Sequence, residues 1–291
     1  MALEQEKQVE QLALRKRELF RPFWIGYPKA KEILGILEDL LHHPQSHRMP
    51  NAAVIGETNN GKTMLLNRFY DRNTPEPDPT AEQTQIPILK LQTPPAPDES
   101  RLYNSMLEKL YAPGAQREPA DSKLYRLKSL LFSLETRMII LDEFQHAVAG
   151  TGNRQRRFLN AVKYLGNELE VPIVVAGTPE TRNALQADRQ IANRFQPLDL
   201  PRWEPDERFL QLLATIEPKL GLRKPSKLIQ PALADRVHQE TDGIIGEVVT
   251  LLQRLAAQAM ESGAERIVPD DLSKDSLKKI YWQRPGRRGR L

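Results

Sequence analysis

Strand and helix signals alternate from residue 51 to 200 and predict an α/β fold with a parallel sheet flanked by helices, followed beyond Trp203 by a small helical domain. Three observations carry that prediction. The runs Met138-Ile139-Ile140-Leu141 and Pro172-Ile173-Val174-Val175-Ala176-Gly177 are apolar at consecutive positions, as strands covered on both faces must be. A third apolar run, Ala52-Ala53-Val54-Ile55, feeds a turn bearing two glycines and then a helical segment at 64–69. The last third of the chain carries helical spacing throughout.

The elements follow in order. Residues 1–22 alternate charge with Leu and Val and predict a helical arm. Phe23-Trp24-Ile25-Gly26-Tyr27-Pro28 interrupts it, and Pro28, whose missing N–H costs nothing in a first turn, opens the next helix. There Ile33, Leu34, Leu37, Leu40 and Leu41 form one apolar stripe, and His42-His43-Pro44 ends it. These histidines lack a second ligand pair at fixed spacing and read as an exposed helix end. Seven prolines between Asn73 and Asp98 forbid a long helix and leave two loops around one short strand, 86–91. Amphipathic helices are predicted at 102–111 and 122–134, a strand at 138–141, a helix at 154–168 and a strand at 172–177. Beyond Trp203 helices are predicted at 206–216, 228–240, 244–260 and 270–280. The expected organisation is an arm over 1–22, an α/β domain over 23–200, a helical domain over 201–277 and a basic tail over 278–291.

Composition narrows the function classes. At 291 residues with 40% hydrophobic content, the chain can bury a large core. It has no cysteine, which excludes a disulfide framework and a thiolate metal site and fits a reducing cytosol. Residues 1–8 are charged and polar where a signal peptide needs an apolar core, and no run is long enough to span a bilayer. A soluble cytoplasmic protein with no membrane role is expected. The net charge is +4, and Lys278, Lys279, Arg284, Arg287, Arg288 and Arg290 supply six positive charges with no acid among them. Without those six, the body carries 36 basic and 38 acidic residues, so any affinity for nucleic acid comes from local patches or from the tail. The tail itself is either a solubilising end or a phosphate or partner contact.

The chemistry concentrates in five places. Gly56, Glu57, Thr58, Asn59, Asn60, Gly61, Lys62 and Thr63 match the phosphate-binding pattern G-x-x-x-x-G-K-[ST] at every fixed position. The glycines let the backbone curl so that N–H groups point inward at phosphate oxygens. Lys62 reaches the β and γ phosphates, Thr63 ligates Mg²⁺, and the helix from Met64 turns its positive dipole end to the same anion. A nucleoside triphosphate is therefore expected. Asp142 and Glu143 end an apolar strand: Asp142 is suited to the Mg²⁺ shell opposite Thr63, and Glu143 to orienting and partly deprotonating an attacking water. Thr178, after the next strand, either senses the γ phosphate or caps the helix opened by Pro179. Arg194 precedes the last apolar segment, where it could project to a neighbour's nucleotide, with Arg189 and Arg182 as rivals. Finally, the acid-free stretch between Glu143 and Glu168 holds Arg154, Arg156, Arg157 and Lys163. On a helix Phe158, Val162, Leu165 and Leu169 share one face, with Arg156, Asn160, Lys163 and Asn167 opposite. That polar face is either solvated or a set of DNA phosphate contacts.

Taken together, Trp24-Ile25-Gly26-Tyr27-Pro28, Arg48-Met49-Pro50-Asn51, residues 56–63 and Leu141-Asp142-Glu143-Phe144-Gln145-His146, with Gly177-Thr178 and Asn193-Arg194-Phe195, resemble the TniB/TnsC family of AAA+ ATPase regulators of DNA transposition. The resemblance runs from about residue 23 to 262. It implies an AAA+ P-loop NTPase fold with a C-terminal helical lid, binding of ATP and Mg²⁺, and assembly of a homo-oligomer, ring or helical filament, on duplex DNA. It also implies a bridge between a TniQ-like target selector and a DDE-type transposase, with ATP hydrolysis as the reset. By the same analogy Ile25 and Tyr27 pack around adenine. Gly243-Ile244-Ile245-Gly246-Glu247 departs from the pattern, because many AAA+ proteins place a lid arginine there. Two other readings stay open: a helicase loader or replication initiator, and a non-hydrolysing ATP-bound adaptor, which would need neither Glu143 nor an arginine acting between subunits.

Overall fold

The apolar runs become the strands of one sheet. The computed structural model describes residues 2–76, 84–114, 118–148, 152–187 and 189–287. In chain order the elements are α1 (Ala2–Leu19), α2 (Pro28–Leu41), β1 (Asn51–Gly56), α3 (Lys62–Asn73), β2 (Ile88–Gln92), α4 (Glu99–Lys109), α5 (Ala120–Ser133), β3 (Met138–Asp142), α6 (Gly152–Leu169), β4 (Ile173–Gly177), α7 (Pro179–Gln186), α8 (Arg189–Ala192), β5 (Phe195–Leu200), α9 (Glu207–Ile216), α10 (Pro231–Thr241), α11 (Ile245–Glu261) and α12 (Lys274–Lys279). They divide into an α/β unit, Pro28–Thr58 with Lys62–Leu200, and a helical unit, Met1–Tyr27 with Asn59–Gly61 and Pro201–Leu291.

In the α/β unit the strand order is β2-β3-β4-β1-β5 and every pair is parallel. Parallel strands need crossovers, which the helices between them supply. The register sets Val54 beside Ala176 and Ile140 beside Val174. Because β4 lies between β1 and β3, the C-terminal ends of those two strands stand about 10 Å apart. The turn after β1 and the acids after β3 therefore open onto the same space, at the carboxyl ends of the strands where such sheets bind ligands. Strands β1, β3 and β4 are buried along their whole length, as their uninterrupted apolar sequences require. Strand β5 pairs only with β1, so as an edge strand it tolerates Pro197. Helix α4 starts at Glu99, earlier than its apolar spacing suggests, because the Asp98 side chain accepts from Arg101 N at 2.8 Å and caps it.

In the helical unit, Leu19, Ile25, Phe209, Leu213, Val237, Val248, Leu251, Leu255 and Trp282 share one core. Two expected boundaries move as a result. The arm over 1–22 is not separate: α1 packs on α11, Gln253 Nε2 donates to Leu19 O at 2.6 Å, and Arg15 pairs with Glu265 at 2.7 Å. A helix with apolar residues down one side must cover that side, and α11 does so. Residues 23–27 go with this unit as well. The tail boundary at 278 falls inside α12, beyond which Trp282 is buried and Arg284 pairs with Glu240. Arg288 and Arg290 lie outside the described residues. The helix expected over 270–280 is broken into a 3₁₀ turn, Pro269–Leu272, and α12, because Asp271 accepts from Val268 N at 2.8 Å and Ser273 starts a new cap. Among the described residues no helix is long and apolar enough to cross a membrane.

Candidate nucleotide site

The loop after β1 is built by backbone conformations that few residues adopt. Asn59 and Gly61 have φ of 61° and 84°, in the left-handed region that asparagine tolerates and glycine enters freely. The curl turns Lys62, first residue of α3, back over the loop, and its Nζ donates to Gly56 O at 2.9 Å and Glu57 O at 2.8 Å. Burial pushes the Lys62 ammonium below the ordinary lysine range, while the charges of Glu143, Asp142 and Glu57 oppose that shift. Next to it, Thr63 Oγ1 donates to Asp142 Oδ2 at 2.8 Å, joining the start of α3 to the end of β3. Asp142 is 3% exposed, and its Oδ1 accepts from Glu143 N at 2.9 Å. Met64 follows and is exposed.

These groups fit the ligands that the sequence predicts. An ammonium beside the N-terminal end of α3 is an arrangement suited to an anion. A hydroxyl and a carboxylate in contact are hard oxygen donors of the kind Mg²⁺ takes, with the remaining positions left to water and phosphate. Glu143 has φ of 54°, a left-handed conformation that costs a glutamate of order 1 kcal/mol or more and that clusters at functional sites. Its Oε2 accepts from Gln145 Nε2.

Residues 59–61 of the loop pack in the helical unit. Asn60 Nδ2 donates to Pro201 O at 3.1 Å, Gly246 N donates to Asn59 O at 3.0 Å, and Asn59 Nδ2 donates to Glu247 Oε1 at 3.0 Å. Where the resemblance implies a lid arginine, the first turn of α11 thus presents a carboxylate. The arginine of α11, Arg254, donates instead to the carbonyls of Ile280 and Tyr281 and stacks over Trp282. Ile25 is buried in the helical core, and Tyr27 packs edge-on against Trp203 with ring centroids 5.0 Å apart, where burial pushes its phenol up to about 12.

The remaining predicted residues fall in separate places. Thr178 is the N-cap residue of α7, but its side chain makes no cap bond; it donates to the Glu180 carboxylate, which lies below its usual range for that reason. Arg194 is not beside its own loop. Its carbonyl accepts from Asn51 N at 3.0 Å, at the opposite end of β1, and its guanidinium donates to Asn167 of α6. Its rival Arg182 is paired with Asp199, and Arg189 is exposed at the start of α8. On α6, Phe158, Val162 and Leu165 are buried as the spacing predicts, and Arg154, Arg156 and Arg157 are exposed. Lys163 is half-buried and donates to Gln190 at 2.7 Å, so the outward basic surface is confined to the N-terminal half of α6.

Sequence reasoning assigned no role to three polar residues at the strand tips. Thr93 Oγ1, Gln145 Oε1 and Thr181 Oγ1 are buried and have no protein partner among the described residues. The signal available for Gln145 was its place two residues after Glu143. Thr93 and Thr181 carry none, because only the sheet brings them near β3.

Comparison with known proteins agrees with this fold. The family model described as bacterial TniB protein matches residues 15–205. Among solved structures, the chain is similar to the ORC2 protein of Aeropyrum pernix in its ADPNP-ADP complexes, at TM-score 0.63 and 16% identity over 91% of this chain and 71% of that one. It is also similar to Cdc6p of Pyrobaculum aerophilum, at TM-score 0.60 and 17% identity over 90% and 70%. The ORC1 protein of Aeropyrum pernix in complex with DNA gives TM-score 0.60 and 16% identity over 91% and 68%. At such identities the likeness is one of fold, the AAA+ P-loop fold of a parallel five-stranded sheet with helices and a helical C-terminal region. No curated protein matches the chain.

Proposed function

The chain belongs to the TniB family, and from that membership we propose that it is an ATP-dependent, DNA-binding regulator of transposition. In this reading it oligomerises on duplex target DNA, links a TniQ-like target selector to a DDE-type transposase, and is reset by ATP hydrolysis. The single observation that carries the ATPase part is the contact between Thr63 Oγ1 and Asp142 Oδ2 at 2.8 Å, which joins the phosphate loop to the end of β3, where Asp142 is followed by Glu143.

The residues divide the work as follows. Lys62 exchanges its hydrogen bonds to the Gly56 and Glu57 carbonyls for phosphate oxygens, so the loop is held curled before the nucleotide arrives. Gly56, Gly61 and the backbone between them cradle the phosphates, and Thr63 and Asp142 hold Mg²⁺, which when bound neutralises charge on the phosphate oxygens. Glu143 orients the attacking water and takes its proton. Arg194, remote from its own loop, acts on the nucleotide of a neighbouring subunit, where a guanidinium stabilises charge on the transferred phosphoryl group. Arg154, Arg156 and Arg157 face DNA phosphates, a role that their exposure and the lack of acids on α6 before Glu168 support. Ile25 and Tyr27 flank the adenine.

Electron microscopy of the full chain with duplex DNA and a non-hydrolysable ATP analogue tests the reading. Rings or filaments on the DNA are expected, formed with the analogue and not without it. Protein that stays monomeric on DNA under both conditions overturns it. Preference for single strands together with capture of a helicase would favour a loader instead.

A further inference from the structure

Around the C-terminal end of β4 lie two buried oxygens whose hydrogen-bonding capacity is unused. Thr181, in the first turn of α7, is fully buried, and its Oγ1 has no protein partner among the described residues; Gln145, in the turn after β3, has its Oε1 buried and likewise without one, while its Nε2 donates to Glu143 Oε2. Both oxygens crowd the same spot. A Cβ built on Gly177 would stand 2.1 Å from Thr181 Oγ1 and 3.1 Å from Gln145 Oε1, so both side chains occupy the space that the glycine leaves. Orphaned buried polar atoms cost about 1–3 kcal/mol each and are rare in folded proteins. Glu143 itself sits in a left-handed backbone conformation. Two oxygens without a protein partner, one of them on the side chain that donates to Glu143, and the strained backbone of Glu143 itself form a local concentration of cost that the core does not need.

The chemistry of the groups gives this cost a direction. An ionised carboxylate only accepts hydrogen bonds, so the Gln145 amide must present its N–H₂ to Glu143 and its oxygen to the β4 side. A hydroxyl at Thr181 is the donor suited to that oxygen. One bridging water completes a line from Thr181 through Gln145 to Glu143. The amide then fixes one carboxylate oxygen and leaves Oε1 of Glu143 for the reacting water.

We propose that Gln145, supported by Thr181 in the space left by Gly177, is a positioning residue that holds the Glu143 carboxylate for hydrolysis. The proposal rests on the ATPase reading above and adds to it a pair of residues outside the phosphate loop and the acid pair. Gln145 acts through Glu143 and touches neither nucleotide nor metal in this role, so it governs turnover and not nucleotide affinity.

The test uses the full chain with duplex DNA and measures ATP turnover, affinity for a fluorescent ATP analogue, and thermal stability. Gln145→Met, close in volume but without the amide, is expected to lower kcat about 10-fold, the worth of one hydrogen bond to a charged group, with KM and analogue affinity within about 2-fold. Thr181→Val is expected to lower kcat about 3-fold, as removal of a hydrogen bond one step from the carboxylate. Both variants should melt close to the wild-type temperature, since the hydrogen bond each loses is offset by removal of a buried oxygen that no protein group satisfies among the described residues; a residue kept only for structure would lose stability along with activity. In a Glu143→Gln background, Gln145→Met should change turnover by less than about 2-fold, because residues acting as one unit are not additive. Turnover that does not depend on Glu143 would overturn the ATPase reading and this inference with it. Glu143-dependent turnover that Gln145→Met leaves unchanged, raises, or lowers equally in the Glu143→Gln background overturns the positioning role alone.

Discussion

Replacing Lys62 with methionine separates a binding role from a structural one. The Nζ sits 2.9 Å from Gly56 O and 2.8 Å from Glu57 O in a side chain only 6% exposed, so Lys62→Met keeps the apolar stem and removes a buried ammonium with its two donors. Two effects oppose each other in the free protein. Removing the hydrogen bonds costs about 1.5–3 kcal/mol each, and relief of ammonium desolvation returns an energy of similar size, so net stability changes by about 1 kcal/mol or less. For a chain of this size that is a melting shift of about 2–4 °C. Nucleotide binding has no such compensation, because the charge that the phosphates meet is gone. Without a charge-assisted hydrogen bond worth about 1.5–3 kcal/mol, ATP binds about 10- to 150-fold more weakly. Isothermal titration and a thermal melt on the same samples measure both. A variant that binds ATP like wild type while melting about 10 °C lower would show that Lys62 is a strut for the loop and refute the reasoning. The wild type supplies a second check through pH. Burial lowers the pKa of Lys62, so in the window just below the ordinary lysine value the unfolded chain holds a proton that the free folded protein has released. Stability of the free protein therefore rises with pH across that window, while ATP affinity, which needs the ammonium, falls.

Four further outcomes are expected. Glu143→Gln should lower turnover at least about 100-fold and leave an ATP-bound assembly on DNA that electrophoretic retardation detects, since the general base is removed and the nucleotide-binding groups are kept. Arg194→Ala should lower turnover about 1,000-fold with single-site ATP affinity unchanged; mixing it with a Lys62→Met variant should restore turnover at mixed interfaces if the arginine acts in trans. Removing Arg154, Arg156 and Arg157 together should reduce the slope of log affinity against log salt for duplex DNA by about 0.9 for each phosphate that the arginines neutralise, and an unchanged slope would leave that face merely solvated. In the helical unit, Arg15 and a backbone N–H hold Glu265 down to about 2. The stability from that pair is fully present above the usual carboxylate value and is lost as pH falls toward about 2. Arg15→Met should thus cost about 1–3 kcal/mol at neutral pH and progressively less in acid, as read by denaturant titration.

How much was legible in the sequence depends on how local each cause is. The phosphate loop, β3 with its terminal acids and the buried strand β4 were readable because glycine freedom, apolar runs and fixed spacings act within a few residues. The face of α6 was readable for the same reason, since a helical period places Phe158, Val162 and Leu165 together whatever lies opposite. The division of α12 from its 3₁₀ turn was not, because the Asp271 and Ser273 caps compete with an amphipathic pattern that runs on through them.

By itself, then, the sequence determined the class of fold, most of its strands and helices in their order along the chain, and which loop matches the phosphate-binding pattern. Strand order in space was decided only by the tertiary structure, through hydrophobic contacts that no local period encodes. That order inserts β4 between β1 and β3, brings Thr63 against Asp142, and carries Arg194 to the far end of the sheet. It also sets Gln145 and Thr181 around Gly177, residues from two different strand ends whose meeting depends on a parallel crossover and on the absence of one Cβ.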